Sequence, residues 1–100
     1  MSCEVDCNAC IESCERCIEE CLKEPDVASR VECIRRCRDC IDACILSMKL
    51  TARNSPLAAM ARELCIKACQ ACAEECGKHD DGGCKACAAS CAACASSCGC

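Results

Sequence analysis

The segment CEVDCNACIESCERCIEEC, residues 3–21, places cysteine at positions 3, 7, 10, 14, 17 and 21. The steps alternate between four and three residues, which is the 3.5-residue period of a coiled-coil seam and not the alternation of a strand. All six thiols therefore share one face of a helix. The same spacing returns at Cys33, Cys37, Cys40 and Cys44, then at Cys65, Cys69, Cys72 and Cys76, then at Cys84, Cys87, Cys91, Cys94 and Cys98, with Cys100 left over at the end. Four stripes predict four helices, near residues 2–23, 26–51, 56–76 and 83–98, in a single domain over 1–100. A seam held at this period predicts a left-handed bundle with crossing angles of roughly 20°. Short connections favour neighbours that run antiparallel. The expected fold is all-α, an antiparallel up-down-up-down four-helix bundle with a cysteine-lined core.

The punctuation fits that division. Pro25 stands where a helix can begin, Ser55 followed by Pro56 reads as an N-cap with proline at the first helical position, and Gly77 suits a helix C-terminus. Residues 78–83 then form a loop. The isoleucines that follow cysteine directly, Ile11, Ile18, Ile34, Ile41 and Ile66, flank the thiol stripe and are expected to seal it between helices. Leu46, Leu50, Leu57, Met60 and Leu64 gather around the second connection, where cysteine is absent, so that end is expected to pack in the conventional way.

Composition makes the core unusual. The chain has 100 residues, 20 of them cysteine, and no Phe, Trp or Tyr. A bundle of this size normally buries large aliphatic and aromatic side chains to offset the entropy of folding, so cysteine must fill the interior here. Cysteine acting simply as a small hydrophobe is a poor explanation, because thiols oxidise and are too small to fill the middle of a bundle. A ladder of disulfides is a second alternative, but parallel Cβ directions on one helix strain such a bond, and most sulfurs would have several near-equivalent partners.

Thiol-rich chains are commonly secreted disulfide scaffolds, yet the start of this sequence, Met1 to Asp6, carries neither the basic nor the apolar region of a signal peptide, and no apolar run is long enough to cross a membrane. A cytoplasmic protein is the expectation. The net charge of −4 argues against nucleic acid, whose phosphates need a basic surface. Residues 1–24 are net acidic and 25–54 net basic, so Glu19, Glu20 and Glu24 are candidates to pair with Arg30, Arg35 and Arg36. No Ser/His/Asp, Cys/His or paired-carboxylate constellation is apparent, so no enzyme is expected.

Nine CxxxC pairs, Cys3–Cys7 through Cys94–Cys98, each set two sulfurs about 5–6 Å apart at Cβ, close enough to share one small ion. Thiolates select soft ions, chiefly Cu(I), zinc and iron–sulfur clusters. Charge separates these. Tetrahedral zinc sites would use about five Zn²⁺ for twenty thiolates and leave about ten charges unbalanced inside the bundle, whereas about twenty Cu⁺ bring it to neutrality. Multiple Cu(I) ions are therefore the expected cofactor, with all twenty cysteines as candidate ligands. Met48 and Met60 are thioether candidates near the end that gathers Cys3 and Cys98, and His79 is a candidate in the loop at the other end.

In-register CxxxC stripes on four helices without aromatic residues resemble the bacterial copper storage proteins, specifically their cytosolic branch, and the likeness covers residues 3–100. The resemblance implies a Cu(I)-filled bundle, commonly a homotetramer, that sequesters copper in the cytosol and admits it at one open end through Met or His residues. With one His and three Met, this chain departs from that pattern at the mouth. Two other readings compete: a general thiolate buffer for zinc or cadmium, like a metallothionein in function, and a redox or import protein clamped by disulfides between twin CxxxC pairs.

Overall fold

In the computed structural model, residues 3–98 are described. Four α-helices follow one another: α1 Cys3–Leu22, α2 Val31–Ala52, α3 Ala58–Cys76 and α4 Gly82–Cys98. Each packs mainly against its two ring neighbours, α1 against α2 and α4, and α3 against α2 and α4. Short connections between such neighbours give the antiparallel bundle. It is a rod, 44 × 20 × 17 Å in extent.

The helix ends show how local chemistry sets the boundaries. The second helix does not start at residue 26: Val27–Arg30 form a 3₁₀ turn, with the Ser29 N–H bonded to Asp26 O, and the α-helix begins only at Val31. Helix α2 ends at Ala52, and two residues on stands Asn54, the single non-glycine residue with positive φ (53°) among those described. Asn tolerates that left-handed geometry, and the Ser55 N–H reaches back to Leu50 O while the Asn54 N–H reaches Thr51 O, so two otherwise orphaned carbonyls are satisfied. Ser55 and Pro56 are not the N-cap and first helical residue expected from sequence: α3 starts at Ala58 with Leu57 as its N-cap, and Ser55 Oγ accepts the Leu57 N–H at 3.1 Å in the turn before it.

Gly77 ends α3 in a right-handed conformation, so its left-handed freedom is not used. Asp81, assigned to a loop from sequence, is the N-cap of α4: its Oδ1 accepts the Cys84 N–H at 2.8 Å. Gly83 matters for a different reason. A Cβ there would lie 2.8 Å from Glu20 Cγ, so a side chain at this position would push the first turn of α4 away from α1.

The core is a column of sulfur. Cys7, Cys10, Cys14, Cys17 and Cys21 on α1, and their counterparts on the other helices, have no solvent exposure. Ile18 is buried beside them, and Ile11, Ile34, Ile41 and Ile66 pack against the column from the seams between helices. The conventional packing expected at the second connection is not found. Only Leu50, with Ala58 and Ala61, is buried there, while Leu46, Leu57, Met60 and Leu64 remain 42%, 55%, 68% and 51% exposed. These side chains sit outside the seam, and with no fifth element to cover them they form a surface patch. Pairing across helices also differs from expectation. Glu24 does meet Arg30, but Glu19 pairs with Lys23 and Arg36 with Glu32, each along its own helix.

Candidate metal centre

Antiparallel order threads the four stripes past one another. Cys7 faces Cys94 at 3.4 Å and Cys65 at 3.8 Å; Cys10 faces Cys40 and Cys91, each at 3.3 Å; Cys14 faces Cys87 at 3.6 Å; Cys17 faces Cys84 at 3.4 Å. Between α2 and α3, Cys44 meets Cys65 at 3.6 Å, Cys40 meets Cys69 at 3.4 Å and Cys33 meets Cys76 at 3.3 Å. The sulfurs fall into overlapping sets of four whose atoms all lie within 4.8 Å of one another, among them Cys7–Cys44–Cys65–Cys94, Cys10–Cys14–Cys40–Cys91 and Cys17–Cys37–Cys76–Cys87. Cys10 and Cys40 each belong to two such sets, and so do Cys87 and Cys91. Sharing is what a bridging sulfur needs and an isolated tetrahedral site does not.

The protonation of the thiols follows from crowding. Burial pushes the thiols of Cys21 and Cys84 up at one end. Inside the column, hydrogen bonds drive neighbours apart: the bond with Cys10 is the main cause that lowers Cys40 and raises Cys44. Each neutral thiol gives its one S–H to a single partner while its sulfur accepts from others, so the bonds run as chains through the stack.

The other candidates are distributed unevenly. Cys3 and Cys98 are joined in a disulfide, with Cα atoms 4.9 Å apart, so in this state the two sulfurs taken from sequence as thiolate ligands are oxidised. Every other described cysteine is a free buried thiol, and Cys100 lies outside the described residues. Met48 packs against the column and, with Cys3, Ser47 and Arg62, lines a cavity of about 80 Å³. Met60 belongs to the exposed leucine patch. His79 is mostly buried, its Nε2 3.5 Å from Glu75 Oε2 and without a hydrogen-bond partner.

Two residues at the ends of the column escaped sequence reading. Ser47 is 1% exposed and stands three residues after Cys44, so it continues the α2 stripe with a hydroxyl in place of a thiol. Its spacing was the available signal. Arg30 pairs with Glu24 at 3.4 Å, as the charge pattern allows, but its side chain is 14% exposed and also bonds Asp81 at 2.5 Å and Cys84 Sγ at 3.3 Å, a place over the thiols that the sequence does not signal. Asp81 is held below the usual carboxylate range, first by the Cys84 N–H and then by Arg30.

A four-helix bundle whose interior is a continuous stack of shared, buried thiols defines a protein built to hold a soft metal in quantity. The chain belongs to the copper storage protein family, whose model matches residues 1–100. The Cu(I)-bound copper storage protein BsCsp3 is 40% identical, with a TM-score of 0.91 over 96% of this chain and 91% of that one, and the apo form of the protein from Bacillus subtilis superposes equally well, at 0.90. The copper storage protein Ccsp of Streptomyces lividans, loaded with 10 copper equivalents, is 31% identical, with a TM-score of 0.92 over 97% of this chain and 78% of that one. A form of the cytosolic Streptomyces lividans protein with five coppers is similar to the same degree. The uncharacterized cysteine-rich protein YhjQ of Bacillus subtilis is 44% identical over 43 residues, a match that spans 40% of its length.

Proposed function

We propose that this chain is a single-domain cytoplasmic store for many Cu(I) ions, held by the thiolates of the sulfur column and assembled as a homo-oligomer. The observation that carries it is the sharing of sulfurs between adjacent four-thiol sets. A tetrahedral zinc site keeps its four sulfurs to itself. Cu(I) is monovalent and soft, takes fewer ligands, and leaves an all-thiolate interior electrically neutral at about one ion per sulfur. The same ion is bound by BsCsp3.

The ligands in this reading are Cys7, Cys10, Cys14, Cys17, Cys21, Cys33, Cys37, Cys40, Cys44, Cys65, Cys69, Cys72, Cys76, Cys84, Cys87, Cys91 and Cys94, joined by Cys3 and Cys98 once their disulfide is reduced, and by Cys100. Met48 is the thioether candidate that the geometry favours, since it shares its cavity with Cys3. Met60 belongs to the surface. Storage of this kind asks for no catalytic step, no nucleic acid and no membrane; no described helix is long and apolar enough to cross one.

Anaerobic titration of the reduced protein with Cu(I) tests the reading. Saturation is expected near one ion per cysteine, about twenty per chain by charge balance. A plateau near five, or displacement of Cu(I) by equimolar zinc, replaces it with the general thiolate buffer.

A further inference from the structure

The two ends of the sulfur column are built differently. At the Cys3 end a small cavity is lined by Cys3, Ser47, Met48 and Arg62, next to the Cys3–Cys98 disulfide. At the opposite end the last tier is Cys84, whose Sγ lies 3.4 Å from Cys17 and 3.9 Å from both Cys21 and Cys33. Over this tier lies Arg30. Its Nη1 donates to Cys84 Sγ at 3.3 Å and to Asp81 Oδ2 at 2.5 Å, and its Nη2 donates to Glu24 at 3.4 Å. The two carboxylates come from different connections, Glu24 from that between α1 and α2 and Asp81 from that between α3 and α4. Arg30 itself closes the 3₁₀ turn that leads into α2.

We propose that Arg30 is a tethered plug: it ties the two connections together across the end of the column and closes that end to the soft cations of the storage reading. Three features support the role. The guanidinium is permanently charged and both carboxylates hold it in place, so what an approaching ion meets is a tethered side chain seated on the outermost thiols, with Nη1 3.3 Å from Cys84 Sγ. The side chain is 14% exposed and anchored on two carboxylates at once, which leaves little freedom to swing aside. Asp81 is in turn fixed by capping α4, its other oxygen accepting the Cys84 N–H at 2.8 Å. A surface arginine with a solvated partner would show none of this.

The first test needs no metal. Reduced apo protein is treated with limiting iodoacetamide, which is uncharged, and the sites of alkylation are mapped by peptide mass spectrometry over time. In the wild type, labelling is expected to begin at the Cys3 end. Arg30→Gln keeps much of the bulk but loses the charge and the fork of donors, and should label Cys21 and Cys84 on the order of tenfold faster relative to Cys7 and Cys94. Arg30→Lys should fall between the two. Asp81→Asn, which still caps α4, should act in the same direction as Arg30→Gln but more weakly. An unchanged ratio of the two ends overturns the plug, and so does a rise at both ends in proportion, because that marks general loosening of the bundle.

The second arm follows withdrawal of Cu(I) from loaded protein by a strong chelator. Arg30→Gln should release it several-fold faster at unchanged capacity. Faster labelling without faster release overturns the part of the proposal that concerns copper traffic. A capacity too small for storage, found with labelling that still shifts between the ends, overturns the storage reading and leaves the plug standing.

Discussion

At the scale of single residues, position on the seam decides what a side chain does. Cysteine at every seam position from 33 to 44 gives way to Ser47 at the next one, and Ser47 is as buried as the thiols before it. Its hydroxyl lines the same cavity as Cys3 and Met48, so the column stops there because sulfur stops, not because space does. Sulfur is larger than oxygen, but the cavity beside Ser47 offers room for it, and a thiol would lie within reach of the same neighbours. Ser47→Cys should therefore raise the Cu(I) endpoint by about one equivalent without loss of apo stability, since a soft ligand replaces a hard one at the edge of a soft cluster. An endpoint equal to wild type would place the last ion further inside. Arg30 and Asp81 teach the converse. Nothing in their local sequence marks them, because what gives each a role is a partner contributed by another helix connection.

At the scale of elements, the four helices were legible because the 3.5-residue cysteine period repeats in each and no competing period exists. Isoleucine beside cysteine was legible for the same reason: position next to a seam fixes burial. The ends were less so. The Asn54 turn and the Asp81 cap depend on which backbone groups are left orphaned, which a stripe pattern does not encode, and the 3₁₀ start before α2 reflects how Pro25 and Asp26 aim the chain. The leucine patch was misread because apolar residues were assumed to be interior. Leu46 and Leu64 lie off the seam, and a four-helix ring buries the seam first.

The thiol column as an element also has a predictable response to pH. Burial raises Cys21 and Cys84 above the ordinary thiol value of about 8.5, and neighbouring sulfurs this close resist ionising together. In the unfolded chain the same thiols ionise near that ordinary value. The folded state thus holds these protons longer than the unfolded state does. The stability they contribute is complete below about pH 8.5 and is lost as pH rises above it. Melting of the reduced apo protein should accordingly fall from neutral to alkaline pH. Loading runs the other way: each thiol must lose its proton to become a ligand, so Cu(I) uptake in weak buffer should release close to one proton per ion and should weaken in acid. Apo melting that rises into the alkaline range, or loading without proton release, would show that the column is already ionised when empty.

At the scale of the whole molecule, the outside of the bundle carries the remaining information. Charge is spread over α1 to α3, but α4 has a single charged residue, Lys85, and presents Ala86, Ala89, Ala92 and Ala93 to solvent. On α2 and α3 the exposed Leu46, Leu57, Met60 and Leu64 form a second uncharged surface, which continues into a groove lined by Ala43, Ala68 and Ala71 and bordered by Asp42 and Lys67. The leucine patch alone amounts to something on the order of 400 Å², within the range of the largest apolar patch on a typical monomer and of the kind that is often functional. That is about half of what one partner buries in a standard interface.

If the chain forms the tetramer that its family resemblance implies, dihedral symmetry requires two different self-complementary contacts, and this chain offers two uncharged surfaces for them. Small residues on α4 allow close helix approach, while the leucines supply apolar area. Ala89→Glu with Ala93→Glu should break one contact and Leu57→Glu with Leu64→Glu the other, each halving the mass found by analytical ultracentrifugation; all four together should give monomers. Copper capacity per chain should not change in any of them, because none of these side chains reaches the sulfur column. If the alanine pair is silent and the leucine pair alone yields monomers, the assembly is a dimer through α2 and α3. If both pairs keep the wild-type mass, neither uncharged surface joins copies of this chain: a mass above one chain then assigns the contact to the charged faces of α1 and α2, and a mass of one chain overturns the assembly.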